Sequence, residues 1–224
     1  MIEFERHGRS AVITLARPPV NAVDPEWIGR FSAILDGLED DQEVGVVRIR
    51  SALKVFSGGF NIARILEHLE KGSGAAGQIA DTRLMQDVYF RLERLQKVTI
   101  AEINGAAIGG GFELALCCDL RIAAREALIG LPEANLGQVP AAGGTQRLTR
   151  ICGPGVASWI ILGCQKVSGD EAQRLGMVHR AVDLADLERE ASALADHIAV
   201  LPRDTLAAIK MCIAAQADHG RSGF

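Results

Sequence analysis

Two glutamates stand where a carboxyl group would be surrounded by apolar residues. Glu113 follows the three glycines 109–111 inside the run GGGFELAL, and Glu133 follows the apolar run ALIGLP. An apolar setting disfavours the charged form and raises the pKa of a carboxyl toward neutrality, which suits it to proton transfer. One such glutamate would more simply complement a helix N-terminus, but two beside glycine turns favour acid/base chemistry.

Glycine turns supply the second kind of chemistry. In NGAAIGGGFELAL, 104–116, three glycines lie between a predicted buried strand and a predicted helix. Exposed N–H groups at a helix N-terminus favour an anion or a developing oxyanion, although such glycines can also serve close packing. A second turn, FSGGFN at 56–61, places the N–H of Phe60 as another donor. Two converging donors are the usual way to hold an oxyanion, and losing one costs about 3 kcal/mol.

A third glycine segment, GSGAAG at 72–77, matches the GxGxxG pattern of dinucleotide-binding proteins. That fingerprint needs a strand immediately before it and an acidic residue about 20 positions later on the next strand. The preceding residues HLEK are charged and helical in pattern. We therefore expect a mobile surface loop here and no nucleotide site.

These groups must be positioned by elements whose hydrophobic periodicity is readable. Apolar spacing and breaker residues predict strands at 2–8, 11–17, 44–50, 54–59, 98–103, 120–124, 127–131 and 177–182. They predict helices starting at Asp24–Pro25 and spanning 62–71, 79–95 and 202–217, with the last 40 or so residues entirely helical. Strands alternating with helices indicate an α/β fold in which both faces of a sheet are covered.

Composition narrows the function classes. The 224 residues are 48% apolar with a net charge of -4, which predicts a packed core and argues against nucleic acid as a partner. The N-terminus MIEFERHGRS is not a secretory signal, no run of about 18 apolar residues predicts a membrane span, and the five cysteines show no CxxC spacing. The five histidines lack metal-ligand spacing, and no GxSxG elbow occurs. We expect a cytoplasmic protein without a metal.

Five segments, taken in order, resemble the enoyl-CoA hydratase/isomerase (crotonase) superfamily over essentially the whole chain. They are PPVNAV (18–23), KVFSGGFNI (54–62), INGAAIGGGFELALCCDLRIAA (103–124), LPEANLGQVPAAGGTQRL (131–148) and GCQKVSGDEAQRLGMVHRAV (163–182). The resemblance implies a spiral of ββα units, a CoA thioester as substrate and a homotrimer or homohexamer. It divides the chain into a core at 1–185 that carries the active site and a C-terminal helical region at 186–224.

The resemblance also implies residue roles. Phe60 and Gly110 would donate the oxyanion-hole N–H groups; Glu113 would orient and deprotonate water, and Glu133 would deliver a proton to the α-carbon. The positions implied for substrate or CoA binding are Ala22, Lys54, Gly58, Gly109 and Ala141. No cofactor beyond the CoA of the substrate is implied.

Three departures from the family pattern bear on these roles. Phe60 stands where alanine is more frequent, with Asn61 in place of the usual aspartate, and Ala141 stands where glycine is frequent. We expect Phe60 to narrow the acyl pocket and 63–80 to line the acyl tail. The chain stops at Phe224, earlier than family members usually do, so we expect a shortened C-terminal helical region, an open CoA pocket and weak CoA affinity.

The glutamate pair predicts hydration of an α,β-unsaturated acyl-CoA, or dehydration of a 3-hydroxyacyl-CoA. Two alternatives remain. A double-bond isomerase of the same family would use Glu133 alone. A non-catalytic or RNA-binding relative would need neither glutamate, and the negative net charge argues against it.

Overall fold

The computed structural model describes residues 1–70 and 74–219, and its elements within those ranges alternate strands with helices. The strands are β1 (Ile2–His7), β2 (Ser10–Leu15), β3 (Val46–Ser51), β4 (Val98–Ile103), β5 (Ala107–Ile108), β6 (Leu120–Ala124), β7 (Leu128–Gly130), β8 (Lys166–Ser168) and β9 (Arg180–Val182). The helices are α1 (Pro25–Asp40), α2 (Ile62–Glu70), α3 (Gly74–Arg94), α4 (Gly110–Cys117), α5 (Gly144–Leu162), α6 (Gly169–Arg174), α7 (Leu184–Ala199) and α8 (Arg203–His219).

The main sheet has six strands in the order β1-β2-β3-β4-β6-β9. Only β1 and β2 pair antiparallel, with Ile2 opposite Leu15; the other pairs are parallel. Parallel strands need a long crossover between them, and helices provide these crossovers here. The predicted α/β class is therefore confirmed.

Helices cover the main sheet on both faces. On one face α7 packs through Leu187, Ala191, Ala195 and Ile198 against side chains of β3, β4, β6 and β9. On the other face α1, α3, α4 and α5 enclose the main apolar core, which includes Phe31, Tyr89 and Phe112. Helix α1 begins where expected, because the Asp24 carboxylate accepts a hydrogen bond from the N–H of Trp27 at 3.0 Å and Pro25 opens the helix.

A smaller sheet of order β5-β7-β8 lies beside the turns that carry the candidate site. Strand β5 pairs parallel with β7, and Ala107 also forms an isolated parallel bridge with Ser57. This bridge brings the 56–61 turn against the strand that leads into α4. The small sheet therefore joins the two glycine turns that were singled out in the sequence.

Residues 54–59 do not form the predicted strand. The isolated bridge of Ser57 with Ala107 and hydrogen bonds from side chains occupy its backbone. Asn21 donates to the carbonyl of Phe56 at 2.9 Å, and Ser51 donates to that of Val55 at 2.6 Å. The Ser57 hydroxyl donates to the carbonyl of Asn21 at 2.9 Å. A segment held by such bonds has no continuous ladder to offer a neighbouring strand.

The prediction of a loop at 72–77 is also wrong for residues 74–77, which the structure describes. Gly74–Gly77 is the first turn of α3, which starts five residues before the predicted Ile79; Gly72 and Ser73 lie outside the described residues. A Cβ added at Gly77 would lie 2.2 Å from Nδ1 of His68, so the glycine allows α2 and α3 to approach closely. Strand β9 is shorter than the predicted 177–182, and the short strands β5 and β8 were not predicted.

Candidate active site

The N-terminus of α4 presents the backbone N–H of Gly110 without a partner. Gly109 precedes the helix with φ 56°, and its carbonyl accepts hydrogen bonds from the N–H groups of Phe112 and Glu113 at 2.8 and 2.9 Å. The N–H groups at the start of a helix have no carbonyl one turn earlier to bond. Within the described residues the N–H of Gly110 donates no hydrogen bond, and it is available to a ligand.

The N–H of Phe60 is free for a different reason. Phe60 forms a parallel bridge with Val23, in which Val23 donates to the carbonyl of Gly59 and Asn61 donates to the carbonyl of Val23, each at 2.8 Å. In such a bridge the central residue's own N–H points away from the partner strand. No acceptor within the described residues takes the N–H of Phe60.

The two free donors lie side by side. A Cβ added at Gly110 would lie 3.3 Å from the nitrogen of Phe60, and one added at Gly59 would lie 2.9 Å from the nitrogen of Gly110. Gly59 has φ 86°, and its missing side chain leaves the space in which the two turns meet. The geometry brings together two donors of the kind that hold an oxyanion.

Glu113 is the more deeply buried of the two glutamates. Its side chain is in the first turn of α4, and the residue is 1% exposed. Oε1 accepts a hydrogen bond of 2.7 Å from the N–H of Gly144, the first residue of α5. Burial, followed by the charge of Glu133, raises the pKa of Glu113 to about 8, against the opposing effect of the Gly144 N–H.

Glu133 opens the 3₁₀ helix Glu133–Leu136 that follows β7. Both carboxyl oxygens are buried, and neither has a hydrogen-bond partner among the described residues. Burial raises the pKa of Glu133 to about 7. A Cβ added at Gly109 would lie 3.0 Å from its Oε1, so the carboxyl sits directly against the glycine turn of α4.

A cavity of about 630 Å³ joins these groups. Phe60, Gly110, Glu113 and Glu133 all line it. Its walls are otherwise mainly apolar and come from α2, α3 and the segment after β7, as in many small-molecule sites. Further lining residues are Ile62, Ala75, Gln78, Ile79, Thr82, Arg83, Met85, Gln86, Ile108, Pro132, Leu136, Gly137, Gln138 and Val139.

The residues predicted for substrate or CoA binding divide into two groups. Gly58, Gly109 and Ala141 line the cavity. Ala22 is half-buried and its carbonyl accepts a hydrogen bond from Arg17 at 3.2 Å, whereas Lys54 is exposed. Neither is among the described residues that line the cavity, so their role in substrate or CoA binding stays a prediction.

Sequence reasoning missed the groups that support the two glutamates. Gly144 binds Glu113 through its backbone, and only the glycine pair in PAAGGT signalled an unusual turn there. Tyr89 is the single tyrosine of the chain and is fully buried, and its rarity is a sequence feature that could have singled it out. In the described part of the chain, no group of three His, Cys, Asp or Glu side chains could hold a metal ion.

Comparison with known proteins now identifies the class. Fold and sequence place the chain in the crotonase superfamily, which confirms the resemblance found in the sequence. More narrowly, the chain belongs to the enoyl-CoA hydratase/isomerase family, whose model matches residues 5–222.

Relatives and solved structures agree with this assignment. The chain is 37% identical over 197 residues to a short-chain-enoyl-CoA hydratase of Clostridium acetobutylicum, covering 87% of this chain and 74% of that one. It is 39% identical over 200 residues to a probable enoyl-CoA hydratase of Bacillus subtilis, covering 89% and 76%. The structure of an enoyl-CoA hydratase from Bacillus anthracis matches with a TM-score of 0.89 and 30% identity, covering 95% of this chain and 82% of that chain.

Proposed function

We propose that this enzyme adds water to an α,β-unsaturated acyl-CoA, or removes it from a 3-hydroxyacyl-CoA. The observation that carries the proposal is the pair of buried glutamates, Glu113 and Glu133, on one cavity with the free N–H groups of Phe60 and Gly110. The relatives described above, and a crotonyl-CoA hydratase of Syntrophomonas wolfei that is 37% identical over 202 residues, support hydration over other reactions of the family.

The N–H groups of Phe60 and Gly110 bind the thioester oxygen. When water attacks the β-carbon, the electron pair of the double bond moves toward that oxygen and forms an enolate. Two donors already in place stabilise this charge without reorganisation. The bond formed is between the water oxygen and the β-carbon, and the π bond is the one that breaks.

The glutamate pair moves the two protons of this reaction. Glu113, as a carboxylate, takes one proton from the attacking water, and Glu133, as a carboxylic acid, gives one to the α-carbon. The reaction therefore needs one proton on the pair at its start and leaves one at its end. Because burial raises both pKa values toward neutrality, to about 8 for Glu113 and about 7 for Glu133, both carboxyls can take up and release protons near neutral pH.

The remaining features of the proposal concern the substrate and the assembly. CoA enters as part of the substrate, and no other cofactor takes part in the chemistry given above. We propose a cytoplasmic homotrimer or homohexamer; the free cysteines Cys117 and Cys118, both buried thiols, fit a reducing compartment. None of the helices in the described ranges is long and apolar enough to cross a membrane.

The test is water addition to a panel of 2-enoyl-CoA thioesters of varied length and branching. The reaction is monitored as the loss of absorbance of the α,β-unsaturated thioester. Glu113→Gln and Glu133→Gln should each lower hydration at least about 100-fold, as expected for a positioned proton-transfer group. Gly110→Val should also lower kcat sharply, because a side chain there intrudes beside the nitrogen of Phe60. The matched control is Glu126→Gln, since Glu126 is exposed and is not among the described residues that line the cavity.

Two results would replace the proposal. Hydration that survives Glu113→Gln, with turnover of a 3-enoyl-CoA abolished by Glu133→Gln, would identify a double-bond isomerase. A wild-type protein that hydrates none of the thioesters but binds RNA in a salt-dependent manner would identify a non-catalytic relative.

A further inference from the structure

Helix α3 carries a row of polar side chains that ends on the backbone of the candidate site. Gln86, Tyr89 and Glu93 are three and four residues apart and therefore share one face of the helix. The hydroxyl of Tyr89 donates to the carbonyl of Gly110 at 2.8 Å, inside the core. Nε2 of Gln86 donates to the carbonyl of Ala141 at 2.7 Å. One helix face thus contacts the first turn of α4, which carries Gly110 and Glu113, and the 141–144 turn, which binds Glu113.

The third member acts through an arginine. Nε and Nη2 of Arg147 donate to Oε2 of Glu93 at 3.1 and 2.8 Å, while its Nη1 donates to the carbonyl of Ala142 at 2.7 Å. Arg150 also bonds the Glu93 carboxylate. Burial alone would raise the pKa of Glu93, but the hydrogen bonds and charges of Arg147 and Arg150 hold it below its usual range. Glu93 is therefore ionised. The forked guanidinium of Arg147 can donate to the Glu93 carboxylate and to the Ala142 carbonyl at once, which a lysine ammonium could not match.

The turn that Arg147 holds is the one that binds Glu113. A Cβ added at Gly143, which has φ 103°, would lie 2.1 Å from Nη1 of Arg147. A Cβ added at Gly144 would lie 2.9 Å from Oε1 of Glu113. The 142–144 turn therefore fills the space between the Arg147 guanidinium and the Glu113 carboxyl. Because Arg147 holds the carbonyl of Ala142, it also positions the N–H of Gly144, which donates to Glu113.

Tyr89 has the matching role at the other segment. Its side chain is fully buried, and burial raises its pKa well above the usual value, so it remains a neutral hydrogen-bond donor. By holding the carbonyl of Gly110 it orients the first turn of α4, which carries both the Gly110 N–H and Glu113. Neither Tyr89 nor Glu93 lines the cavity among the described residues.

We propose that Gln86, Tyr89 and the Glu93–Arg147 pair form a positioning row, which sets the placement of the oxyanion donor Gly110 relative to the carboxyl of Glu113. These residues act through the backbone of Gly110 and of residues 141–144, and Gln86 is the member of the row that also lines the cavity. The effect of this row on catalysis rests on the proposed function, whereas the hydrogen bonds that define the row do not depend on it.

The first test separates positioning from folding. Tyr89→Phe and Arg147→Lys should lower kcat at least about tenfold while KM stays within about twofold, since small misplacements of reacting groups reduce turnover more than binding. Glu93→Gln is the alternative if Arg147→Lys does not fold. The matched control is Val88→Ala, which removes buried apolar atoms from the same helix at a residue that is not among the described ones lining the cavity. At equal loss of thermal stability, it should keep the wild-type kcat.

The second test does not depend on hydration. Acetoacetyl-CoA carries an acidic β-keto thioester whose enolate absorbs in the ultraviolet, so its binding as enolate can be titrated directly. Tyr89→Phe should weaken enolate binding at least about tenfold relative to the Val88→Ala control. If wild-type protein binds the enolate but does not hydrate, the proposed function fails and the positioning row is still tested by this loss. If Tyr89→Phe and Glu93→Gln match the control in kcat and in enolate binding, the positioning row is overturned.

Discussion

Glu113 is an ionisable side chain that the fold keeps almost entirely out of water. It is 1% exposed and meets the charge of Glu133 within the same cavity, and its pKa is raised from 4.5 to about 8. Its main compensation is the hydrogen bond from Gly144. A group placed in this way serves proton transfer near neutral pH, and it lowers stability whenever it is ionised.

This trade-off predicts a pH-dependent effect of Glu113→Gln on stability. The folded-state pKa lies above the unfolded one, so the favourable contribution of Glu113 is complete below about pH 4.5 and is lost as pH rises through about 8. Glutamine does not titrate. The variant should therefore gain at least about 1 kcal/mol of unfolding free energy relative to wild type on going from pH 5 to pH 8. Urea unfolding at the two pH values measures it.

The control for this prediction is Glu126→Gln, because Glu126 is exposed. Its stability difference from wild type should be the same at pH 5 and pH 8. An equally constant difference for Glu113→Gln would show that the Glu113 carboxyl is not raised in pKa in the folded protein.

Residue types reveal a site where an acidic side chain has an unusual setting or where glycines mark a turn. Glu113 and Glu133 were predicted because each is an acid within an apolar run, and Phe60 and Gly110 because glycines mark their turns. Tyr89 and Arg147 act on backbone carbonyls, and any carbonyl in the chain could be their partner. Nothing in the sequence specifies which carbonyl, so these roles needed the structure.

At the scale of elements, hydrophobic periodicity predicts strands whose bounds depend on packing. It fails where side-chain hydrogen bonds to the backbone determine the conformation. The strands β4 and β6 have the predicted bounds, and both are buried over nearly their whole length. The segment 54–59 has a strand-like composition, but the side chains of Asn21 and Ser51 donate hydrogen bonds to two of its backbone carbonyls. The bond from Asn21 spans 35 residues, so it is invisible in a window of a few residues.

The wall that α2, α3 and the 56–61 turn build should control which acyl groups enter. Phe60 is half-buried, packs against the core and lines the cavity beside Ile62 and Ile79. Phe60→Ala keeps the backbone N–H but removes the ring, so it should change the ranking of acyl-CoA substrates more than the best rate. The measurement is kcat/KM for straight and branched 2-enoyl-CoA thioesters.

A matched phenylalanine separates this effect from a general loss of apolar surface. Phe90 is 47% exposed on α3, where Arg94 stacks on its ring at 4.2 Å. Phe90→Ala should leave the substrate ranking as in wild type. An unchanged ranking in Phe60→Ala as well would show that the Phe60 ring does not contact the acyl group.

At the scale of the whole molecule, α8 is attached along one side and uncovered on another. Nζ of Lys210 donates to Oδ2 of Asp119 at 2.8 Å, and Leu206 packs against the cluster formed by β3, β4 and α7. Ile209 and Ile213, one turn apart, are 50% and 69% exposed. An apolar strip of this kind on a surface helix is typical of a face that meets another subunit.

The last prediction concerns assembly. We expect a homotrimer or homohexamer in solution, in which a neighbouring subunit covers the α8 strip, because burying such side chains is worth roughly 1.5–3 kcal/mol each. Light scattering should return three or six times the mass of one chain. Ile213→Glu should shift the mass toward that of one chain, since a charge cannot be buried there without a partner. The control Ala33→Glu adds the same charge on the exposed side of α1 and should leave the mass unchanged. A wild-type monomer at concentrations far above micromolar would show that α8 is not an interface, and an intact oligomer in Ile213→Glu would place the interface elsewhere.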